Sequence, residues 1–178
     1  TVPQPARLYS THMRNEDNTV LEAVDEAIKI AKESSSRLLI SHLKVSGKSN
    51  WHKADAVLEK IEKAIGEGLE VHADRYTYVA YHTGLDALFP LWAREGGTEK
   101  FFERLHDKEQ LKKMREHSEK KVSNLDGDWD GVLISSVGIE DVEEYQGKTI
   151  KRIADVLGRD YFDTAVKVII DSDNRTMM

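Results

Sequence analysis

The chain contains no cysteine. That excludes disulfides, thiolate zinc sites and cysteine nucleophiles together, so any metal must be held by His, Asp or Glu. No apolar run approaches the roughly 18 residues needed to span a bilayer. No basic segment followed by an apolar core opens the chain, so no signal peptide is expected. Lys and Arg number 26 against 32 Asp and Glu, a net charge of −6, which argues against a nucleic-acid partner. No glycine-rich phosphate loop and no Ser/His/Asp arrangement occurs. These absences describe a soluble chain with no membrane or nucleic-acid partner, and they fit a cytoplasmic location. The 178 residues are 33% charged, with a mean hydropathy of −0.55. Their length is enough for one core and favours one domain.

The first half repeats one rhythm: a short apolar run, a polar turn, then an amphipathic helix. Leu8 to Thr11 is a weak first run. A helix is predicted from about Thr19, with Val20, Leu21, Val24, Ala27, Ile28 and Ala31 on one face. Thr19 and Glu22 have the spacing of a capping box. Ser34 to Ser36 break the pattern. Arg37 to Ser41 (RLLIS) suits a strand buried on both faces. After a polar turn containing Gly47, a second stripe follows in Ala54, Val57, Leu58, Ile61 and Ile65, stopped by Gly66 and Gly68. Leu69 to Ala73 reads as a third strand. Connections this long imply parallel strands.

The second half differs. Thr98 to Val122 is charged and helical, with Phe101, Phe102, Leu105, Leu111 and Met114 available for packing. LDGDWDG (125–131) is a turn cluster, and Val132 to Ser135 is a strand candidate. Thr149 to Leu157 and Asp160 to about Ile170 are predicted helices, and the tail DSDNRTMM carries no legible stop signal. Three or four such units do not close a barrel, and an open parallel sheet leaves backbone groups unpaired at its edges. The segment must then be an open sheet, pair with another copy or belong to a larger chain.

Two histidines follow this rhythm. His42 ends the RLLIS strand and His72 lies in the next. Strand ends at the C-terminal face of a parallel α/β barrel carry the active site, and imidazole is a common zinc ligand. The same spacing equally suits two hydrogen-bonded core histidines. His72, Asp74 and Tyr76 alternate by two and would share one side of an extended segment. Arg14, beside His12 in THMRNE, and Lys44 offer cations for a carboxylate, or ordinary surface charge. His52, His82, His106 and His117 carry less weight, and Trp51, Trp92 and Trp129 read as packing residues.

YSTHMRNE (9–16), ISHLKVSGKSNWHKAD (40–55) and ADRYTYVAYHTGLDALFPLWAREGG (73–97) resemble consecutive blocks of the D-aminoacylase, or N-acyl-D-amino-acid deacylase, family of amidohydrolases, in the same order and spacing. YQGKTIKRIADVLGRDYFDTAVKVI (145–169) resembles it more loosely. The resemblance implies an α/β fold: a partial TIM-barrel (β/α) segment, about half of the (β/α)8 barrel, with parallel strands plus a helical insertion. Residues 1–96 would be central β/α units, 97–130 the insertion, and 131–178 a later β/α unit truncated before the last strand. It also implies a zinc-type metal site and hydrolysis of the amide bond of N-acyl-D-amino acids, with a small-molecule N-acyl amino acid as partner. His42, in SHLK, matches a metal-ligand histidine at the end of the fifth barrel strand, and His72 falls at the sixth. Arg14, Lys44, Asp74 and Tyr76 fall where they could face substrate.

The departures matter. Where the family reads Tyr-Pro-Tyr, this chain has Tyr76-Thr77-Tyr78, which frees one backbone angle. The family's upstream His-x-His pair is absent, and so is the strand carrying its catalytic aspartate. The expectation is a piece of a metal-dependent hydrolase of linear amides, inactive by itself. A dihydroorotase-like cyclic-amide hydrolase would share the fold. A metal-free assembly module, self-associating through open sheet edges, belongs to a different class.

Overall fold

The computed structural model describes residues 7–125 and 128–178, and the side chains of all of these but 141 and 142. Two compact units divide between Val79 and Ala80, each with its own core, where the length favours one domain.

The first unit is a parallel sheet backed by two helices. Strands β1 (Leu8–Thr11), β2 (Arg37–Ile40) and β3 (Val71–Ala73) lie in that order, each pair parallel. Tyr9 pairs with Leu38, Leu38 with Val71, and Leu39 with His72. Helices α1 (Val20–Glu33) and α2 (Ala54–Gly66) supply the crossovers and pack on each other. Leu38 and Ile40 are fully buried against Val20, Val24, Val57 and Ile61. Each contributes on the order of 2 kcal/mol by leaving water. Alternation then puts Arg37, Leu39 and His72 on the opposite face, where Arg37 and Leu39 are half-buried and His72 is exposed. RLLIS is therefore buried on one face here, not on both.

Loop chemistry departs from expectation at one helix start. Thr19 precedes α1, but its side chain caps nothing. Asn15 does the work instead: its Oδ1 accepts the amides of Asp17 and Thr19 at 3.0 and 2.9 Å. The capping box therefore does not form. Gly68, at φ 93°, ends the connection from α2 as glycine is suited to do.

The second unit is helical. Its helices are α3 (Leu91–Arg94), α4 (Thr98–Leu105), α5 (Lys108–Val122), α6 (Ile150–Leu157) and α7 (Tyr161–Asp171). Phe89, Phe101 and Phe162 meet at its centre, with ring centroids 5.2 Å apart for Phe89–Phe101 and 5.7 Å for Phe89–Phe162. Phe101, Leu105 and Met114 are buried, and Phe102 and Leu111 partly so. Trp129 also joins this core, whereas Trp51 is 59% exposed and is no packing residue.

No strand forms over Val132 to Ser135. Leu133 makes one antiparallel bridge to Thr149, the chain between them returning through a 3-10 helix (Glu140–Tyr145) flanked by Gly138 and Gly147. Of the LDGDWDG cluster, Asp128–Gly131 is a 3-10 turn, and residues 126 and 127 lie outside the described residues. The tail does have a stop signal. Asp173 and Asn174 take left-handed φ values of 50° and 57°, a region these residues tolerate. That reversal lets Met177 bridge both Gly84 and Ser136. Among the described residues, no helix is long and apolar enough to cross a membrane.

Candidate functional site

His42 lies two residues beyond β2, at the C-terminal end of the central strand. Its φ of 42° is left-handed, a conformation that costs a non-glycine residue roughly 1–2 kcal/mol. Asp74 holds it there. Asp74 Oδ1 accepts the His42 amide at 2.6 Å. The Asp74 backbone adds a donor to Ile40 O at 3.1 Å and an acceptor for the Leu43 amide at 2.9 Å. The end of β3 thus fixes the loop that presents the ring.

The His42 ring is 27% exposed and has polar neighbours at both nitrogens. Nε2 faces Nδ1 of His12 in a very close contact, with ring centroids 4.5 Å apart. Nδ1 has Lys44 Nζ at 2.8 Å and Glu16 Oε1 at 2.8 Å. Lys44 also pairs with Glu16 Oε2 at 2.6 Å and stands 5.6 Å from the centre of the Tyr76 ring. His12, Glu16, His42, Lys44, Asp74 and Tyr76 therefore form one polar cluster at one end of the sheet. Glu16 was invisible to spacing arguments. It belongs to the THMRNE block, and only tertiary pairing of β1 with β2 brings it to His42.

Two expected residues stand apart from this cluster. His72 is exposed and places Nε2 3.0 Å from Glu70 Oε1. The His72 hydrogen bond holds the Glu70 carboxyl below its ordinary range, an effect opposed by partial burial and assisted by Arg37. Arg14 pairs with Glu26 of α1 at 2.6 Å. The expected shared side for His72, Asp74 and Tyr76 dissolves as well: they serve Glu70, the His42 amide and Lys44. The physical reason is that β3 stops at Ala73, so the two-residue period stops with it. Elsewhere, His82 bonds Ser135 at 2.8 Å and His106 bonds Phe102 O at 2.7 Å.

A catalytic zinc takes three protein ligands and keeps one open position. Among the described residues, no three His, Asp or Glu side chains converge in that way. The described residues therefore offer individual imidazoles and carboxylates and not a complete zinc set.

No protein-family model matches the chain. Over 71 residues it is 35% identical to N-acyl-D-glutamate deacylase of Alcaligenes xylosoxydans xylosoxydans, covering 40% of this chain and 14% of that protein. Over 78 residues it is 37% identical to D-aminoacylase of the same organism, covering 44% of this chain and 16% of that protein. Part of the chain is thus similar in sequence to part of the D-aminoacylases. Solved structures carry the likeness across the fold. The N-acyl-D-glutamate deacylase of Bordetella bronchiseptica, complexed with zinc and a phosphonate mimic of the tetrahedral intermediate, matches with a TM-score of 0.65 and 22% identity. That match covers 96% of this chain and 27% of that one. A D-aminoacylase described as defining a novel subset of amidohydrolases matches with a TM-score of 0.62, 22% identity and the same coverage. The chain thus spans about a quarter of the solved proteins it resembles, and its three-stranded parallel sheet with flanking helices matches part of their fold.

Proposed function

We propose that this chain is the central portion of a metal-dependent amidohydrolase that cleaves the amide bond of N-acyl-D-amino acids. One observation carries the reading: His42 stands at the C-terminal end of the central parallel strand, fixed in a left-handed turn by Asp74, inside the block ISHLKVSGKSNWHKAD that resembles the deacylases. In parallel α/β barrels that strand end is where chemistry takes place. The rest of the TIM barrel would close against β1 and β3, each of which pairs along one edge only among the described residues. Residues 1–96 would supply central β/α units, and 97–130 a helical insertion ahead of the later units.

In that barrel His42 and His72 would hold zinc with ligands from strands outside this chain. His72 would give up Glu70, an exposed pair whose loss costs little. Zinc, when bound, polarises the amide carbonyl and makes water a usable nucleophile near neutral pH. Lys44 and Tyr76 would orient the substrate's carboxylate. Arg14 can join them by exchanging Glu26, again an exposed pair. Asp74 acts on substrate only through His42, whose amide it holds.

The test is hydrolysis by the complete protein of N-acetyl-D-glutamate, N-acetyl-D-aspartate and neutral N-acetyl-D-amino acids, with their L enantiomers and dihydroorotate as controls. The reading expects a D-selective release of free amino acid that His42→Ala abolishes. Cleavage of the cyclic amide alone, or none of any substrate by zinc-loaded protein, overturns it. Self-association of the isolated chain through its open edges is expected, and a strict monomer in light scattering would count against those edges as docking surfaces.

A further inference from the structure

The loops that follow β1 and β2 leave the same end of the parallel sheet. The first carries Glu16 and the second Lys44, and Lys44 Nζ pairs with Glu16 Oε2 at 2.6 Å. A lysine has a long flexible stem, so its charge stands where its surroundings hold it. The spacing of the two loops therefore decides whether the Lys44 ammonium stays beside Tyr76, 5.6 Å from the ring centre.

Asn50 ties these loops together from the 3-10 turn Lys48–Lys53. It is 3% exposed, and with Ser36 it is the buried polar residue of the first unit among the described residues. Its Nδ2 donates to Ser46 O at 3.0 Å, in the loop after β2, and to Asn18 Oδ1 at 3.2 Å, in the loop after β1. Its Oδ1 accepts Lys53 Nζ at 2.8 Å, and the same ammonium donates to Asn18 O at 2.8 Å. An ammonium can only donate, so Lys53 fixes which end of the amide is oxygen and leaves the NH2 group to the loops. Ser46 and Asn18 each follow a member of the Lys44–Glu16 pair by two residues. Ser46 N closes the tie by donating to Glu16 O at 2.6 Å. A buried polar group with its partners in place stiffens what it joins.

We propose that Asn50 is a positioning residue for the substrate's carboxylate. It locks the loop of Glu16 to the loop of Lys44 and so holds the Lys44 ammonium beside Tyr76, without touching substrate itself. A carboxylate arriving there exchanges with the weakest neutral acceptor of Lys44, the His42 carbonyl at 3.1 Å. This role rests on the reading of Lys44 given above and places no step on a metal.

Asn50→Asp tests it with little change of shape, since the carboxylate keeps Lys53 but donates to neither loop. In this chain without metal, nitrogen-15 NMR of the Lys44 ammonium reads the pairing with Glu16. The paired ammonium is expected as a resolved, slowly exchanging signal that disappears in Asn50→Asp and persists in Ser36→Ala. Where circular dichroism shows Asn50→Asp unfolded, Asn50→Ala takes its place. A signal that survives the Asn50 substitution overturns the proposal. Kinetics of the complete protein supply the second arm. On N-acetyl-D-alanine the Asn50 variant should raise KM roughly 5- to 30-fold, with a smaller effect on kcat. The preference in kcat/KM for N-acetyl-D-alanine over N-acetyl-D-alaninamide, which lacks the carboxylate, should shrink, as a general loss of stability would not make it do. If Lys44→Met raises KM and the Asn50 variant does not, Asn50 has no positioning role and the functional reading survives. If neither changes KM, Lys44 is not the carboxylate's partner and the proposal falls with that assignment. No hydrolysis by the complete protein overturns the functional reading and this role with it, even where the NMR signal behaves as expected.

Discussion

Replacing Asp74 isolates the bond that holds His42 in its left-handed turn. Its Oδ1 accepts the His42 amide at 2.6 Å, a hydrogen bond to a charged group. Such bonds contribute about 1.5–3 kcal/mol, and the exposure of Asp74 puts this one toward the lower end. His42 meanwhile sits at φ 42°, which costs roughly 1–2 kcal/mol. The two are of similar size, so the bond offsets the cost of the left-handed turn. Asp74→Ala should therefore raise the local opening of the turn by about 1–2 kcal/mol, a factor of roughly 5–30 in equilibrium. Amide hydrogen exchange measures it: the His42 amide should exchange faster by that factor. Leu43, bonded to the Asp74 backbone, should change much less. Asp74→Asn, which keeps a neutral acceptor of about half the strength, should fall between. A His42 amide as slow in Asp74→Ala as in the unmodified chain would refute the clamp.

Other consequences are independent of it. Phe89→Ala removes the ring that touches both Phe101 and Phe162, and should destabilise the second core by about 3–5 kcal/mol in chemical denaturation. Gly158 ends α6 at φ 61° with open space where a Cβ would go, so Gly158→Ala should cost roughly 1–2 kcal/mol from backbone strain alone. Asp160 caps α7 through the Asp163 amide. Partial burial pushes its carboxyl up, but that amide and Arg115 outweigh it and hold the carboxyl below the ordinary aspartate range. A depressed folded value means the stabilisation is present above the unfolded value and disappears as pH falls through the folded one. Thermal melts should therefore lose stability on acidification below the ordinary aspartate range, and Asp160→Asn should flatten that part of the profile.

Much of the first unit was legible because it obeys simple periods. Val20, Val24 and Ala27 recur at helical spacing, and RLLIS is too short and apolar for anything but a strand between two turn-rich segments. Burial on one face only was not legible, because Leu39 is as apolar as Leu38 and Ile40. Thr19 misled for a related reason. The capping spacing was present, but Asn15 Oδ1 takes the Thr19 amide that Glu22 would have accepted in the box. Val132 to Ser135 has strand composition without a strand partner. A partner is a tertiary fact: Leu133 finds only Thr149. In the site, His42 was legible as the residue ending a strand. Its neighbours were legible only in part, since His12 and Glu16 arrive from β1 by parallel pairing across some thirty residues. His72 fell in its expected strand, yet pairing with Leu39 puts it earlier along the sheet than His42 and within reach of Glu70.

The most direct test of the account is the zinc content of the complete protein, purified without added metal, with and without His42→Ala. The account predicts bound zinc in the unmodified protein and its loss in the variant, with the fold intact by circular dichroism. Equal zinc in both would contradict it, because His42 would then be a hydrogen-bonded residue beside the site and not part of the metal centre.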